Sequence, residues 1–247
     1  MRSCSGRGTD YGVEKVDGMR STFHAELDKL ITALARMARL AAQMMINASI
    51  ALHQNDLARA GLVIGDCDQM NTLHDDTERR CIALLALQAP VAGDLRVVVA
   101  ALRAVGHLKR MGSLARHIAA VAQLKHPNPM ISGEVRPVLA RMSLLVGQLA
   151  EDAATAIEHQ DPLSGCRLAA ADDDVDALLC HLFDILFADD WSHGVEQAVD
   201  AALIGRYYER FGDHAVAIAQ QVCYMATGWK SDPEAFETAS DPASCVP

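Results

Sequence analysis

Two carboxylates four residues apart, Glu209 and Asp213, are the side chains of this chain best placed to do chemistry. Positions i and i+4 share one helix face, and two like charges there oppose each other by roughly 0.2–0.5 kcal/mol. A hard or borderline cation bound by both would remove that repulsion. The apolar stripe of the same segment is Ile204, Tyr208, Phe211, Ala215, Ile218 and Val222. At about 100° per residue Glu209 and Asp213 fall on the opposite side, so both are expected to be exposed. A solvated acidic pair is the plainer reading, and spacing alone does not choose between the two.

The segment around this pair occurs twice. KRMGSLARHIA (Lys109–Ala119) aligns without gaps on ERFGDHAVAIA (Glu209–Ala219), with the order Arg-x-Gly-x-x-Ala-x-x-Ile-Ala shared. The earlier copy carries Lys109 and Ser113 in place of the two acids. A protonated lysine is no ligand, so any metal site of this kind is expected once per chain.

Further candidates lie on neighbouring segments. Asp66 and Asp172 fall in step with the stripes Val63/Met70/Leu73 and Leu168/Val175/Leu179. A carboxylate facing a core needs a partner. The repeated arginines Arg110 and Arg210 are candidates, which makes the two aspartates structural buried acids. Asp172, Asp173, Asp174 and Asp176 also read as a cation site, although Asp173 and Asp174 fit a solvated run. Asp94 sits in the first turn of a helix, where it suits the dipole. Two residues on, Arg96 could contact phosphate or a partner's carboxylate, with capping and packing as the alternative. The ten histidines show no dense ligand spacing, so His214 is expected to pack or hydrogen-bond.

The elements that must position these residues are helices. Leu27, Leu30, Leu34, Met37, Ala41, Met44 and Ala48 recur at spacings of three and four, one stripe along a long helix. Asn55-Asp56 ends it and caps a second helix, with Val63, Met70, Leu73, Leu84 and Leu87 inward. That helix stops before Pro90, and Pro90 suits the first turn of a third. Helix three carries Leu95, Val98, Leu102 and Val105, runs to about Leu124 and breaks at His126-Pro127-Asn128-Pro129. The second half repeats the layout: about 133–160, then a helix after Asp161-Pro162, then about 193–227 with Gly228 as the stop. Gln160-Asp161 matches Asn55-Asp56, and Met70-Asn71-Thr72-Leu73 matches Val175-Asp176-Ala177-Leu178. The expected fold is all-α, two tandem three-helix bundles with an approximate internal two-fold repeat. The boundaries are 19–127 and 128–228. Residues 1–18, with Met19 a natural start, and the tail 229–247 are expected to lie outside as disordered segments.

Composition narrows the function. Hydrophobic residues make up 51% of 247, ample for a core, while aromatics are only 4% and helix formers abound. The net charge is -10, and no basic stripe is visible to displace counterions from a nucleic acid. Seven irregularly spaced cysteines without a CxxC read as free thiols in a reducing cytosol. No apolar run approaches the ~18 residues of a membrane span, and the N-terminus lacks a secretory h-region. A di-iron bundle would need inward Glu-x-x-His pairs, and there is no Walker A loop, nucleophile elbow or catalytic triad signature. These absences leave an enzyme built on metal-binding carboxylates and a purely structural helical scaffold open.

Glu209-Arg210-Phe211-Gly212-Asp213-His214-Ala215 resembles the acidic signature of the PhoU family. Gln88-Ala89-Pro90-Val91-Ala92-Gly93-Asp94-Leu95-Arg96 is similar to that family's Q-x-P-V-A-x-D-L-R, and MRSTFHAELDKL to its usual start. The resemblance covers about Met19 to Gly228. It implies a cytoplasmic regulator of phosphate homeostasis that is not an enzyme. As an adaptor it would act with the ATPase subunit of the phosphate ABC transporter and with a sensor histidine kinase, holding starvation signalling off. A homodimer is the expected assembly, with no nucleic acid and no direct membrane contact. No cofactor is required, but iron or another divalent metal is a candidate ligand of Glu209 and Asp213. Asp94, Arg96, Arg210 and His214 are candidate partner or anion contacts.

Overall fold

In the computed structural model, six helices and no strand make up residues 10–88, 90, 92–127 and 133–229, with side chains described from Thr22 onward except Gln88. The helices are α1 (Asp10–Gln54), α2 (Leu57–Gln88), α3 (Ala92–Lys125), α4 (Arg136–His159), α5 (Ser164–Leu186) and α6 (Gly194–Thr227). Helices α1–α3 pack on one another, α4–α6 do the same, and α1·α4 together with α3·α6 join the two bundles.

The breaks follow local chemistry. Asn55 takes a left-handed conformation at φ 57°. Asp56 Oδ1 then accepts the backbone N–H groups of Ala58 and Arg59 at 3.0 and 3.1 Å, satisfying donors that the first helical turn leaves orphaned. The second half repeats the device. Gln160 is left-handed at φ 48°, and Asp161 Oδ1 accepts the Leu163 N–H at 2.9 Å. Gly228 closes α6 at φ 85°, its N–H bonded to the Tyr224 carbonyl. This αL stop is one that glycine adopts without a Cβ penalty.

The α1 stripe from Leu27 to Ala48 is wholly buried, as are the α5 residues Leu168, Val175, Leu179, Leu182 and Leu186 and the α6 stripe Ile204 to Val222. Two expected inward residues face water instead: Leu87 is 80% exposed and Leu95 is 40% exposed. Both lie at the α2–α3 connection, at the ends of their helices. Helix α3 starts at Ala92, so Pro90 precedes it and does not form its first turn. Helix α1 starts at Asp10, nine residues ahead of Met19, so the segment expected to be disordered is helical in its second half. Residues 1–9, 89, 91, 128–132 and 230–247 lie outside the described residues, and with them part of the Pro127–Pro129 break and nearly all of the C-terminal tail.

Polar contacts tie the halves together. Tyr208 donates its buried hydroxyl to Ser49 Oγ at 3.0 Å. Arg39 on α1 pairs with Glu158 at 2.6 Å and Glu151 at 3.0 Å on α4. Between α3 and α6, Lys125 reaches Asp200 at 2.6 Å and Glu196 at 2.5 Å.

Candidate functional site

Glu209 lies in the α5–α6 contact and is only 7% exposed, contrary to the surface position expected from the stripe of α6. The cause is a second packing face on that helix. Gly205 and Gly212 flank Glu209 at one turn each, and a Cβ at Gly205 would fall 2.5 Å from Leu182 Cδ2. Those two glycines admit α5 at close range, and Glu209 is carried under it. Asp213, one turn on, is exposed as expected.

Helix α5 brings acids to meet them. Asp172 is buried, while Asp173 and Asp176 are exposed. Burial pushes the Asp172 carboxyl up to about 7, and repulsion from Asp176, Asp213, Glu209 and Asp173 adds to it. Burial also raises the carboxyl of Glu209, reinforced by Asp213, although Arg206 opposes the rise. Asp176 is raised by burial and by Asp213 and Asp173. Arg206 pairs with Glu209 Oε1. Glu209 Oε2 and Asp172 Oδ1 are buried with no hydrogen-bond partner among the described residues. Such orphaned oxygens are costly, and each has a lone pair to offer.

The expected arginine partners are elsewhere. Arg210 Nε lies 3.9 Å from Asp213 Oδ2 at the surface and leaves Asp172 unpaired. Asp66 is half-buried on α2, less enclosed than a core acid, and forms no ion pair with Arg110 among the described residues. The difference arises because Asp66 sits at the edge of the α2 stripe, beside the exposed Gly65, whereas Asp172 lies directly beneath α6.

The remaining candidates are not part of this cluster. Arg96 folds against the cap of α6, where a Cβ on Gly228 would meet Arg96 Nη1 at 2.6 Å. Gly228 is sixteen residues beyond Gly212, roughly 24 Å along the helix axis. Asp94 lies 3.9 Å from His24 Nε2. His214 points away from the acids into the seam between bundles, where its Nδ1 is 3.0 Å from Nδ1 of His107. Burial, then His107, Arg210 and Arg110, hold the His214 imidazole down at about 4. His107 was not distinguishable in the sequence, because nothing local marks a residue whose partner is 107 positions away. Gly205 and Gly212, by contrast, were a readable sign of a close helix approach.

Among the described residues no three side chains of metal-binding type are gathered closely enough to hold an ion by themselves. The donor type is nevertheless the one a hard cation prefers: carboxylates that repel one another, two of them with buried oxygens that have no hydrogen-bond partner among the described residues.

The PhoU domain model matches residues 34–122 and again 139–222, once in each bundle. The chain belongs to the PhoU family. Among PhoU relatives, it is 41% identical to the phosphate-specific transport system accessory protein PhoU homolog 2 of Mycobacterium tuberculosis, over 85% of this chain and 99% of that protein. It is also 41% identical to PhoU homolog 1 of Mycobacterium leprae, over 85% of this chain and 95% of the other. The crystal structure of PhoU from Pseudomonas aeruginosa superposes with a TM-score of 0.74 at 26% identity, covering 84% of this chain and 100% of that one.

Proposed function

We propose that this PhoU-family chain is a cytoplasmic regulator of phosphate homeostasis that works by contact and not by turnover. The observation that carries the reading is the PhoU domain occupying both bundles, in a chain that spans nearly the full length of relatives named as accessory proteins of phosphate-specific transport. In this reading the chain bridges the ATPase subunit of the phosphate ABC transporter and a sensor histidine kinase. It restrains phosphate uptake and starvation signalling when phosphate is plentiful, as a homodimer. It would reach the membrane only through those partners; among the described residues no helix is long and apolar enough to cross one. Arg210 and Asp213, paired at the surface of α6, are the contacts most available to a partner. Arg96, folded under Gly228, is the least available.

The test is a pull-down from membrane extracts scored for those two partners, together with a deletion strain grown in rich phosphate. The reading expects capture of both and derepressed starvation genes. Normal repression in a strain without any second copy, with neither partner captured, refutes it.

A cation is the second reading of the α5–α6 cluster, favoured by the two orphaned oxygens. Iron or another divalent ion would be held by Glu209 and Asp213, and would neutralise carboxylates that burial and mutual repulsion otherwise disfavour. Metal content should then be one site per chain, lost in Glu209→Ala with Asp213→Ala and kept in Lys109→Ala with Ser113→Ala. Uptake unaffected by the first double change would show that the acids serve only as surface.

A further inference from the structure

The first bundle has its own version of the place where the acids gather, and its chemistry is inverted. Helices α2 and α3 enclose a cleft of about 470 Å³, within the range of small-ligand pockets, roughly 300–1,000 Å³. Each helix contributes positions i, i+3, i+4 and i+7: Ile64, Cys67, Asp68 and Asn71 from α2, and Lys109, Gly112, Ser113 and Arg116 from α3. Met44 and Met70 form the floor.

The two sequence alignments give each wall its counterpart in the second bundle. Cys67, Asp68 and Asn71 correspond to Asp172, Asp173 and Asp176, while Lys109, Gly112 and Ser113 correspond to Glu209, Gly212 and Asp213. Arg116 corresponds to Val216. Five carboxylates in one half thus become a single one in the other, accompanied by two cations, a hydroxyl and an amide. Gly112 faces α2 as Gly212 faces α5, at a looser approach than the 2.2 Å between a Gly212 Cβ and Asp172 Oδ1. A Cβ on Gly112 would meet Met70 Cγ at 3.1 Å.

We propose that this cleft binds a phosphate oxyanion, either free or as a monoester. Lys109 and Arg116 lie two turns apart, with Gly112 and Ser113 between them, on one face of α3. Neither forms an ion pair among the described residues. Lys109 is half-buried, and its ammonium rests 3.4 Å from His74 Nδ1, which is itself 2.8 Å from Asp75 Oδ1. A compact ammonium and a planar guanidinium fork are the two groups that recognise such an anion through charge-assisted hydrogen bonds. The Ser113 hydroxyl donates to the Lys109 carbonyl at 3.1 Å and redirects its proton by rotating about Cβ–Oγ. The Asn71 amide adds donors. Asp68, the carboxylate on the wall, repels a bare anion. It accepts a hydrogen bond from the hydroxyl of a protonated phosphate or from the organic part of a monoester. Ile64, Met44 and Met70 give that organic part an apolar surface.

This inference goes beyond the regulatory reading and does not need the cation reading, since it concerns the other bundle. The test uses the full chain with methyl-labelled methionine, titrated separately with inorganic phosphate, AMP and succinate. The Met44 and Met70 methyl signals should shift and saturate with phosphate or AMP and not with succinate; whichever of the two saturates first identifies the source. Lys109→Glu with Arg116→Gln should weaken binding at least about tenfold, the scale of one lost charge-assisted contact. Arg116→Gln alone, at an exposed position, secures the result if the double variant folds poorly, and should weaken binding several-fold. Arg79→Gln, outside the cleft, should leave it unchanged. The proposal is overturned if neither phosphate nor AMP moves the two methyls up to about 10 mM. It is equally overturned if succinate binds as well, or if Arg116→Gln binds as tightly as the parent chain.

Discussion

Asp172 and Gly212 face each other across α5 and α6 with no room for a methyl group between them: a Cβ on Gly212 would lie 2.2 Å from Asp172 Oδ1. Gly212→Ala should therefore destabilise the chain by roughly 1–3 kcal/mol, the usual cost of overpacking. In an Asp172→Ala background the same change should cost markedly less. Urea denaturation of the four proteins measures the coupling; equal costs in both backgrounds would mean that the contact is relieved elsewhere. Gly65, with nothing within 4 Å of its would-be Cβ, is the contrast. Gly65→Ala should stabilise α2 by about 0.5–1 kcal/mol through helix propensity.

The buried carboxyl of Asp172 makes stability depend on pH. Its folded value, about 7, lies above the unfolded 3.8, so its folded state prefers the proton. That contribution is fully present below pH 3.8 and is lost as pH rises to about 7. Asp172→Asn should accordingly stabilise the chain at pH 8 in the presence of a chelator, by roughly 1–3 kcal/mol. The gain should vanish near pH 4. Calorimetry at the two pH values checks the crossover, and a loss of stability at pH 8 would contradict it.

The histidine seam has the opposite sign. Two Nδ1 atoms 3.0 Å apart form a hydrogen bond only when one donates and the other keeps its lone pair, so both rings cannot be protonated together. Burial lowers His107, and His214 falls from 6.5 to about 4. Their stabilisation is present above pH 6.5 and is lost as pH falls toward 4. In the Asp172→Asn background, the melting temperature should drop between pH 6.5 and 4.5, and should drop less in His214→Gln. A pH slope unchanged by that substitution would place the acid sensitivity elsewhere.

The hydroxyl of Tyr208 joins the bundles through Ser49 Oγ, and the Ser49 hydroxyl in turn donates a hydrogen bond to the Met45 carbonyl at 2.8 Å. Tyr208→Phe should cost about 0.5–1.5 kcal/mol, and Ser49→Ala a similar amount. The double variant should cost less than the sum, because the first change already removes the bond. Strict additivity in urea melts would mean that the two groups do not share it.

Most of the fold was readable because its determinants are local. Asn55, Pro90, Gln160 and Gly228 mark ends that backbone conformation alone decides, and the stripes from Leu27 to Ala48 and from Ile204 to Val222 follow one period each. The site was readable only as composition. A helical wheel drawn around one stripe places Glu209 outside, since it assumes one buried face; α6 has two, and the second is written in glycine and not in hydrophobes. The pairing of Arg210 with Asp213 in place of Asp172 depends on side-chain direction, which spacing does not specify. Helix α1 extends back to Asp10 through a stretch whose glycine and charge content favours no element.

The seam between α3 and α6 is nearly self-complementary: His107 meets His214, and one turn away from the matching position His117 stacks on Tyr207 with ring centroids 5.3 Å apart. Contacts of this kind are what two identical units form about a two-fold axis. A pair of separate, identical three-helix units would have to carry the same cleft twice, and any change suited to one ligand would be imposed on both. Joining the units in one chain lifts that constraint. Lys109 and Glu209 can then diverge independently, and one repeated helix pair can carry a basic cleft in one bundle and a packed acidic cluster in the other.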